Sequence, residues 1–177
     1  MSTDAASRLR SAIRDIPDFP KPGIIFKDIT PILADAELFR LAIDSFVEQC
    51  RSLAVTKVVG IDARGFIFGS AVAYALGIGF VPIRKKGKLP SKRESVAYQL
   101  EYGEAIAEMH TDALQPKERV VLVDDLLATG GTAAAAARLI SQVGAEMVEA
   151  QFLVELGFLS GRAALGQARV RSLITFD

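Results

Sequence analysis

The hydrophobic positions in the first fifty residues follow the spacing of amphipathic helices. Apolar side chains recur every three to four residues over 38–50, which predicts a helix that begins after an N-cap at Asp35 and ends near Arg51. A shorter helix is predicted over residues 7–14, and three prolines follow it closely. Proline disfavours helix in the residue before it, so residues 16–23 should be extended or turned.

From residue 57 onward, short apolar runs alternate with helical segments. The predicted strands are 57–61, 80–83, 119–123, 147–154 and 170–176, and the predicted helices between them are 66–76 and 132–143. Alternating strands and helices of this length are typical of an α/β fold. We therefore predict a central, mainly parallel sheet that is flanked by helices.

Residues 84–93 interrupt this alternation. They include six basic side chains and no acidic one, and Gly87 and Pro90 oppose a helix. Val96, Tyr98 and Leu100 then alternate as in a strand, and a second alternating run follows a turn. The pattern predicts a basic mobile loop that leads into a β-hairpin.

The composition fits one domain with a substantial core. The chain has 177 residues, 50% of them hydrophobic, and its 21 basic and 21 acidic side chains cancel. Balanced charge gives no reason to expect nucleic acid or an anionic membrane as the main partner. Cys50 is the only cysteine and His110 the only histidine, which excludes an intrachain disulfide and a clustered Cys/His metal site. The first thirty residues contain no continuous apolar run, so we expect a cytoplasmic protein.

The clearest chemical signal is the run VVLVDDLLATGGT at residues 120–132. Its apolar residues predict a buried strand, and open parallel sheets bind ligands at the carboxyl ends of their strands. Gly130 and Gly131 allow backbone amides to approach a phosphate closely. Thr129 and Thr132 add hydroxyl donors where a helix begins, and the positive end of that helix favours an anion.

Two adjacent carboxylates, Asp124 and Asp125, lie between the apolar strand and this loop. They would repel a phosphate, and they suit a neighbouring group that offers hydroxyl donors, such as a ribose diol, or a magnesium ion. No lysine follows the glycines, so the run is not a P-loop. The combination describes a sugar-phosphate site; the alternative is a strand end with two solvated carboxylates.

Residues 120–132 resemble the PRPP-binding motif of type I phosphoribosyltransferases, where PRPP is phosphoribosyl pyrophosphate. The resemblance implies that the acid pair holds the ribose hydroxyls and that the loop wraps the 5′-phosphate. It also implies the type I phosphoribosyltransferase fold, with a small N-terminal hood and a flexible β-hairpin flap. The expected ribose-phosphate residues are Asp124, Asp125, Leu126, Leu127, Ala128, Thr129, Gly130, Gly131 and Thr132.

Residues 60–69, GIDARGFIFG, place a second glycine-containing turn between a strand and a helix. Arg64 in that turn suits bidentate contact with a phosphate, and the alternative is a surface ion pair. The run resembles the pyrophosphate loop of the adenine-specific branch of the family, although that branch often has serine where Ala63 stands. The resemblance implies a non-proline cis peptide at Asp62–Ala63, and pyrophosphate contacts from Asp62, Ala63 and Arg64.

The basic segment resembles the catalytic loop of the same branch, with its entry at residues 84–90 and its exit at 98–103. As a charge run alone, it would be a solvated surface loop. The resemblance implies that the loop closes over pyrophosphate and excludes water. The expected pyrophosphate ligands in it are Arg84 and Lys88, and the further flexible-loop residues are Lys85 and Tyr102.

Residues 16–31 resemble the N-terminal hood that covers the purine base in this family. In an extended segment the carbonyl of Ile25 and the amide of Lys27 face the same side, as an acceptor and a donor. Adenine offers the complementary donor at N6 and acceptor at N1, whereas hypoxanthine and guanine offer the reverse. Phe26 is expected to stack on the purine, and the alternative is a core residue of a short strand.

The resemblance implies an enzyme that transfers the phosphoribosyl group of PRPP to adenine in purine salvage, giving AMP and pyrophosphate. Glu101 matches the glutamate assigned a catalytic role in this branch, either as a general base for N9 of adenine or as a residue that positions the base. Magnesium is the expected cofactor, held mainly through PRPP and pyrophosphate, with Asp124 and Asp125 as further candidate ligands. A homodimer is also implied.

We expect a single phosphoribosyltransferase domain over residues 1–177, with PRPP and adenine as its partners and neither nucleic acid nor membrane. Residues 1–34 form the hood segment, and residues 84–109 form the flexible catalytic loop and hairpin.

Two alternatives stay open on the sequence. A transferase for another base would keep residues 120–132 and should lack the matches at 23–30 and 62–69. A regulatory protein that binds PRPP without catalysis would have no need of the basic loop or of Glu101.

Overall fold

The computed structural model describes residues 3–99 and 104–177. The helices are α1 (Thr3–Ala12), α2 (Thr30–Ala34), α3 (Ala36–Cys50), α4 (Arg64–Leu76) and α5 (Gly131–Gln142), with 3₁₀ turns at Gly157–Leu159 and Gly161–Leu165. The strands are β1 (Arg14–Pro17), β2 (Ile25–Asp28), β3 (Lys57–Ile61), β4 (Gly79–Lys85), β5 (Arg93–Gln99), β6 (Glu104–His110), β7 (Arg119–Leu127), β8 (Glu146–Leu156) and β9 (Val170–Phe176). None of the described helices is long and apolar enough to cross a membrane.

Seven strands form one sheet in the order β5-β6-β4-β3-β7-β8-β9. Five neighbouring strands, β4-β3-β7-β8-β9, are parallel to one another. Strands β5 and β6 add an antiparallel hairpin at the β4 edge. Two apolar clusters cover the sheet: α5 packs on one face, and α3 and α4 pack on the other. The predicted α/β fold with a mainly parallel central sheet is confirmed.

The hydrophobic pattern predicted several elements closely. Strands β3 and β9 have the predicted bounds, and Asp35 caps α3 by accepting from the amides of Glu37 and Leu38 at 2.9 and 3.0 Å. Cys50, on the apolar face of α3, is buried at 3% exposure. Loss of hydration raises the pKa of its thiol to about 11, so it is an unreactive thiol at neutral pH.

The structure differs from the pattern at the N-terminal segment. Helix α1 covers residues 3–12 rather than 7–14, because Arg14 already begins β1 and forms an ion pair with Asp28 of β2 at 2.8 Å. Pro31 does not stop the chain from becoming helical. It lies in the first turn of α2, where backbone amides have no partner within the helix, so the missing N–H of proline costs no hydrogen bond.

Strands β1 and β2 form a separate antiparallel pair, the hood sheet, with Ile16 opposite Phe26. Phe176 at the end of β9 connects this pair to the main sheet. The charged groups of Arg10 and Lys27 lie 4.3 and 4.2 Å from the centre of its ring, so two cations contact the same aromatic ring. The hood is thereby held beside the carboxyl ends of β7 and β8.

Candidate active site

The carboxyl end of β7 opens into a cavity of about 420 Å³, the polar cavity. It lies at the sheet edge where parallel strands usually present ligand-binding residues. All nine residues expected from 120–132 to bind a ribose phosphate line it. The full lining is Ile61, Asp62, Ala63, Arg64, Lys85, Tyr98, Asp124, Asp125, Leu126, Leu127, Ala128, Thr129, Gly130, Gly131, Thr132 and Ala133.

The two carboxylates in the polar cavity are in different electrostatic environments. Asp125 is 6% exposed and forms a close ion pair with Nε of Arg64. The Oδ1 atom of Asp124 accepts from the backbone amide of Asp125 at 2.9 Å. The pKa of Asp124 is raised well above its ordinary value of 3.8, first because its carboxyl loses hydration and second because the charge of Asp125 is close. Asp124 therefore binds a proton more tightly than a free aspartate does.

Arg64 supplies the compensating positive charge. Burial alone would lower the pKa of its guanidinium, but the hydrogen bond to Asp125 and the charges of Asp125 and Asp124 outweigh that effect and raise it. Its neighbour Gly65 allows α4 to begin against the acid pair, since a Cβ there would lie 2.7 Å from Oδ1 of Asp124. The side chain of Arg64 remains half exposed, so it keeps donors that face the cavity.

The loop before α5 brings backbone amides to the polar cavity. Gly130 has a φ of +84° and occupies the N-cap position of α5, where no side chain caps the helix. The first amides of α5 are therefore left for a ligand, and the helix dipole adds positive potential there. Gly161 packs directly beneath this loop: a Cβ on Gly130 would lie 2.2 Å from its carbonyl oxygen.

The turn between β3 and α4 has the predicted backbone. The Asp62–Ala63 peptide bond is cis, as expected from the resemblance. Asp62, Ala63 and Arg64 all line the polar cavity, opposite the loop that precedes α5. The turn and the loop therefore enclose the same space from two sides.

The basic residues of segment 84–90 do not all face this space. Lys85 lines the polar cavity, whereas Arg84 and Lys88 do not. Nε of Arg84 lies 3.2 Å from Oδ2 of Asp62, and its Nη1 donates to the carbonyl of Lys88 at 3.2 Å. Arg84 thus connects the basic segment to the turn after β3.

A second cavity of about 750 Å³, the hood cavity, lies between the hood sheet and the 3₁₀ turn at Gly157–Leu159. Its lining is mainly apolar and includes the three residues expected to contact adenine. The lining residues are Pro20, Lys21, Gly23, Ile24, Ile25, Phe26, Lys27, Arg64, Leu126, Ala128, Leu156, Phe158, Leu159, Phe176 and Asp177.

The backbone of β2 presents its free edge to a ligand. Ile25 lies opposite Pro17, which has no amide to donate, so Ile16 and Phe26 are the pair whose backbone groups face each other across β1 and β2. Because backbone groups alternate along a strand, those of Ile25 and Lys27 face away from β1. The ring of Phe26 packs edge-to-face on Phe19, with ring centres 5.2 Å apart.

The two cavities adjoin, because Arg64, Leu126 and Ala128 line both of them. A ligand that filled both would place one end on the acid pair and the phosphate loop and the other end under the hood.

The sequence did not single out the lining residues that follow β8. Phe158 is 63% exposed and lines the hood cavity together with Leu156 and Leu159. The available signal was the rule that ligands lie beyond the carboxyl ends of parallel strands, which applies to β8 as it does to β7. The expected catalytic Glu101 and the loop residue Tyr102 lie outside the described residues.

Magnesium prefers carboxylate, phosphate and water oxygens, and the acid pair supplies the first of these. In the described ranges, no group of three or more His, Cys, Asp or Glu side chains is arranged to hold a metal. With Asp125 already paired to Arg64, the site fits a magnesium ion that is held largely by oxygens of a phosphorylated substrate.

A parallel sheet whose carboxyl edge carries an acid pair, a glycine–threonine loop and a facing arginine turn defines a phosphoribosyltransferase, and the phosphoribosyl transferase domain model matches residues 32–162. The adenine phosphoribosyltransferase of Anaeromyxobacter dehalogenans is 56% identical over 168 residues, covering 95% of this chain and 98% of that protein. The chain belongs to the adenine phosphoribosyltransferase family.

Solved structures agree in fold over nearly the whole chain. The adenine phosphoribosyltransferase of Thermoanaerobacter pseudethanolicus is 47% identical, with a TM-score of 0.94 and coverage of 97% of this chain and 99% of that one. The Saccharomyces cerevisiae enzyme is 41% identical, with a TM-score of 0.93 and the same coverage, and was solved with an imino-altritol bisphosphate and adenine. The predicted type I phosphoribosyltransferase fold is confirmed.

Proposed function

We propose that the chain transfers the 5-phosphoribosyl group of PRPP to adenine, giving AMP and pyrophosphate, with the ribose phosphate in the polar cavity and adenine in the hood cavity. The observation that carries this assignment is that the two cavities share Arg64, Leu126 and Ala128. The reaction joins a base to a sugar, and adjoining cavities of opposite polarity hold those two partners in contact. The related yeast structure, solved with adenine and a bisphosphate, supports the same pair of sites.

At the sugar end, the loop over residues 128–132 surrounds the 5′-phosphate with backbone amides and threonine hydroxyls. Asp124 and Asp125 accept hydrogen bonds from the ribose hydroxyls. Arg64 sits between this pair and the base, where it holds Asp125 in place and donates toward the pyrophosphate.

At the pyrophosphate end, the proposed contacts come from Asp62, Ala63 and Arg64 on one side and from the basic segment on the other. Lys85 lines the polar cavity. Arg84 precedes Lys85 in the chain and donates to the carbonyl of Lys88. Positive charge here favours a departing anion in the transition state. When bound, magnesium neutralises further charge on the pyrophosphate.

At the base end, we assign recognition to the outward-facing carbonyl of Ile25 and amide of Lys27, with Phe26 against the ring. The side chain of Lys27 pairs with Asp15 at 2.6 Å and contacts Phe176, which holds this residue of β2 in place. Glu101 is proposed, on the resemblance, to accept the N9 proton or to position adenine.

The same resemblance supports one catalytic domain over residues 1–177, with a hood at 1–34 and a flexible loop and hairpin at 84–109. We propose a homodimer on that ground alone, and the cytoplasmic location expected from the sequence stays a prediction.

The substitution Asp125→Asn tests the sugar site. It should raise KM for PRPP roughly 10- to 100-fold, the range expected when a charged hydrogen-bond acceptor is lost, and leave KM for adenine near the wild-type value. Steady-state pyrophosphate release measures both constants, and chelation of magnesium with EDTA should stop turnover. The matched control is Glu146→Gln, which removes a carboxylate paired with Arg119 at the opposite end of the sheet. Equal kinetics in the two variants would contradict the assignment.

A further inference from the structure

Glu108 of β6 is a buried carboxylate outside both cavities. It is 2% exposed and lies opposite Arg84 of β4 and Ser95 of β5 in the sheet. Burial of a charged carboxylate costs free energy unless cations and hydrogen-bond donors compensate it. The groups that donate to Glu108 therefore identify the part of the chain that its carboxylate holds in place.

Those partners lie at the two ends of segment 86–92, the part of the basic segment between β4 and β5: Gly87 is near its start and Arg93 directly follows it. Oε2 of Glu108 accepts from the backbone amide of Gly87 at 2.9 Å, and Oε1 lies 3.0 Å from Nε of Arg93. Gly87, where the chain leaves β4, has a φ of +78°, and Arg93 is the first residue of β5. One carboxylate thus fixes both the start and the finish of the segment.

Two arginines also bind backbone carbonyls inside segment 86–92. Nη1 of Arg93 lies 3.4 and 3.5 Å from the carbonyls of Leu89 and Ser91, and Arg84 donates to the carbonyl of Lys88. Leu89 is buried at 7% exposure. The carbonyls of the segment are therefore turned toward the sheet, while the side chains of its lysines are exposed.

We propose that Glu108 is a positioning residue for catalysis: it holds segment 86–92 so that Lys88 stays beside Lys85 at the pyrophosphate end of the polar cavity, where the amide of Lys88 donates to the carbonyl of Lys85 at 3.2 Å. Lys85 lines that cavity and pairs with Ala107, the neighbour of Glu108. The inference rests on the proposed role of these lysines toward pyrophosphate.

Glu108→Gln tests the inference with little change in volume. The amide oxygen can still accept from Gly87, but the charge that compensates Arg93 is gone. We expect kcat/KM for PRPP to fall about 10- to 100-fold, the effect of displacing catalytic groups by about an ångström, with KM for adenine unchanged. The matched control is Glu118→Gln at the opposite end of the sheet. It also removes a carboxylate bonded to a backbone amide and a cation, in this case together with the hydroxyl of Thr56.

A purely structural role would lower stability without this substrate selectivity. The substitution is therefore repeated in the Lys85→Ala, Lys88→Ala background, which keeps the backbone carbonyls that Arg84 and the turn use. If Glu108 acts through the lysines, Glu108→Gln costs much less in that background. Arg93→Lys keeps the charge and loses the geometry toward the two carbonyls. It should also lower kcat/KM for PRPP, and it serves as the readout if Glu108→Gln does not fold.

The outcomes separate the inference from the proposed function. If the lysine double variant raises KM for PRPP but Glu108→Gln behaves like Glu118→Gln, the positioning role is wrong and the proposed role of the loop stands. The positioning role is also wrong if Glu108→Gln costs as much in the lysine-free background as in the wild type. If the lysine double variant matches the wild type, both the loop role and the inference fail.

Discussion

At the scale of single residues, the site includes backbone contacts so close that only glycine fits. Gly130 combines a left-handed backbone with a carbonyl oxygen 2.2 Å from where its Cβ would be. The sequence indicated glycine there for the approach of a phosphate. The structure adds a second reason, since Gly161 packs against the same loop from the side away from the ligand.

We predict that Gly130→Ala lowers kcat/KM for PRPP by about 100-fold, because the loop must move off Gly161 and its amides lose their alignment with the phosphate. Steady-state kinetics with PRPP as the varied substrate measures the effect. Gly77→Ala is the control: Gly77 has a similar φ of +68°, but nothing lies within 4 Å of an added Cβ. That change should cost only the left-handed conformation, about 1 kcal/mol of stability. Equal kcat/KM in the two variants would contradict the packing explanation.

The residues that could be predicted from the sequence are those in contiguous motifs. Asp124 to Thr132 form one contiguous run from the end of β7 to the start of α5, and all of them line the polar cavity. The pairing of Arg64 with Asp125 could not be predicted, because the two residues are 61 positions apart and meet only when β3 and β7 become neighbours. Phe158 lay beyond sequence reasoning for the same reason.

At the scale of elements, the pattern identified the strands of the parallel sheet and underestimated the length of β4, β7 and β8. The prediction ended β7 at Val123, where the apolar run stops, whereas the strand continues to Leu127 because β8 keeps pairing with it. Ladder hydrogen bonds to a neighbouring strand do not depend on side-chain polarity, so periodicity cannot show them. The pairing of β1 with β2 was not predicted either, because strands of only four residues are too short to show a clear periodicity.

The second 3₁₀ turn, Gly161–Leu165, is held under the phosphate loop by an ion pair. Both oxygens of Glu155 accept from Arg162 at 2.7 Å, and Ser172 donates to one of them at 2.6 Å. These hydrogen bonds, those of Arg162 first, lower the pKa of Glu155 below its ordinary value of 4.5, although burial opposes the shift. The ionised carboxylate therefore stabilises the folded state.

We predict that Glu155→Gln lowers the free energy of unfolding by about 1–2 kcal/mol at pH 7, the low range for a charged hydrogen bond because Arg162 is half exposed. A depressed pKa in the folded state gives stability that is fully present above pH 4.5 and is lost as the pH falls through the folded value. Urea unfolding across this range should show the difference from wild type shrinking in acid. Glu146→Gln, which removes an exposed pair, should change little at any pH. A constant difference for Glu155→Gln would contradict the ion-pair explanation.

At the scale of the whole molecule, the fold places two unlike cavities side by side at one edge of the sheet. The polar cavity is built from turns after β3 and β7, and the hood cavity from the first thirty residues and the segment after β8. The class of fold was predictable, because alternating strands and helices admit few arrangements. The meeting of the cavities at Arg64, Leu126 and Ala128 was not, since it depends on how the hood docks on Phe176.

The central claim is that this arrangement joins adenine, and no other base, to the ribose phosphate of PRPP. The most direct test measures pyrophosphate release from PRPP and magnesium with adenine, hypoxanthine, guanine and orotate in parallel. We predict turnover with adenine and discrimination of about 10⁴-fold or more against the others, because they leave the Ile25 carbonyl or the Lys27 amide unpaired. Comparable turnover with another base would contradict the backbone account of recognition, and PRPP binding without turnover of any base would contradict the assignment as an enzyme.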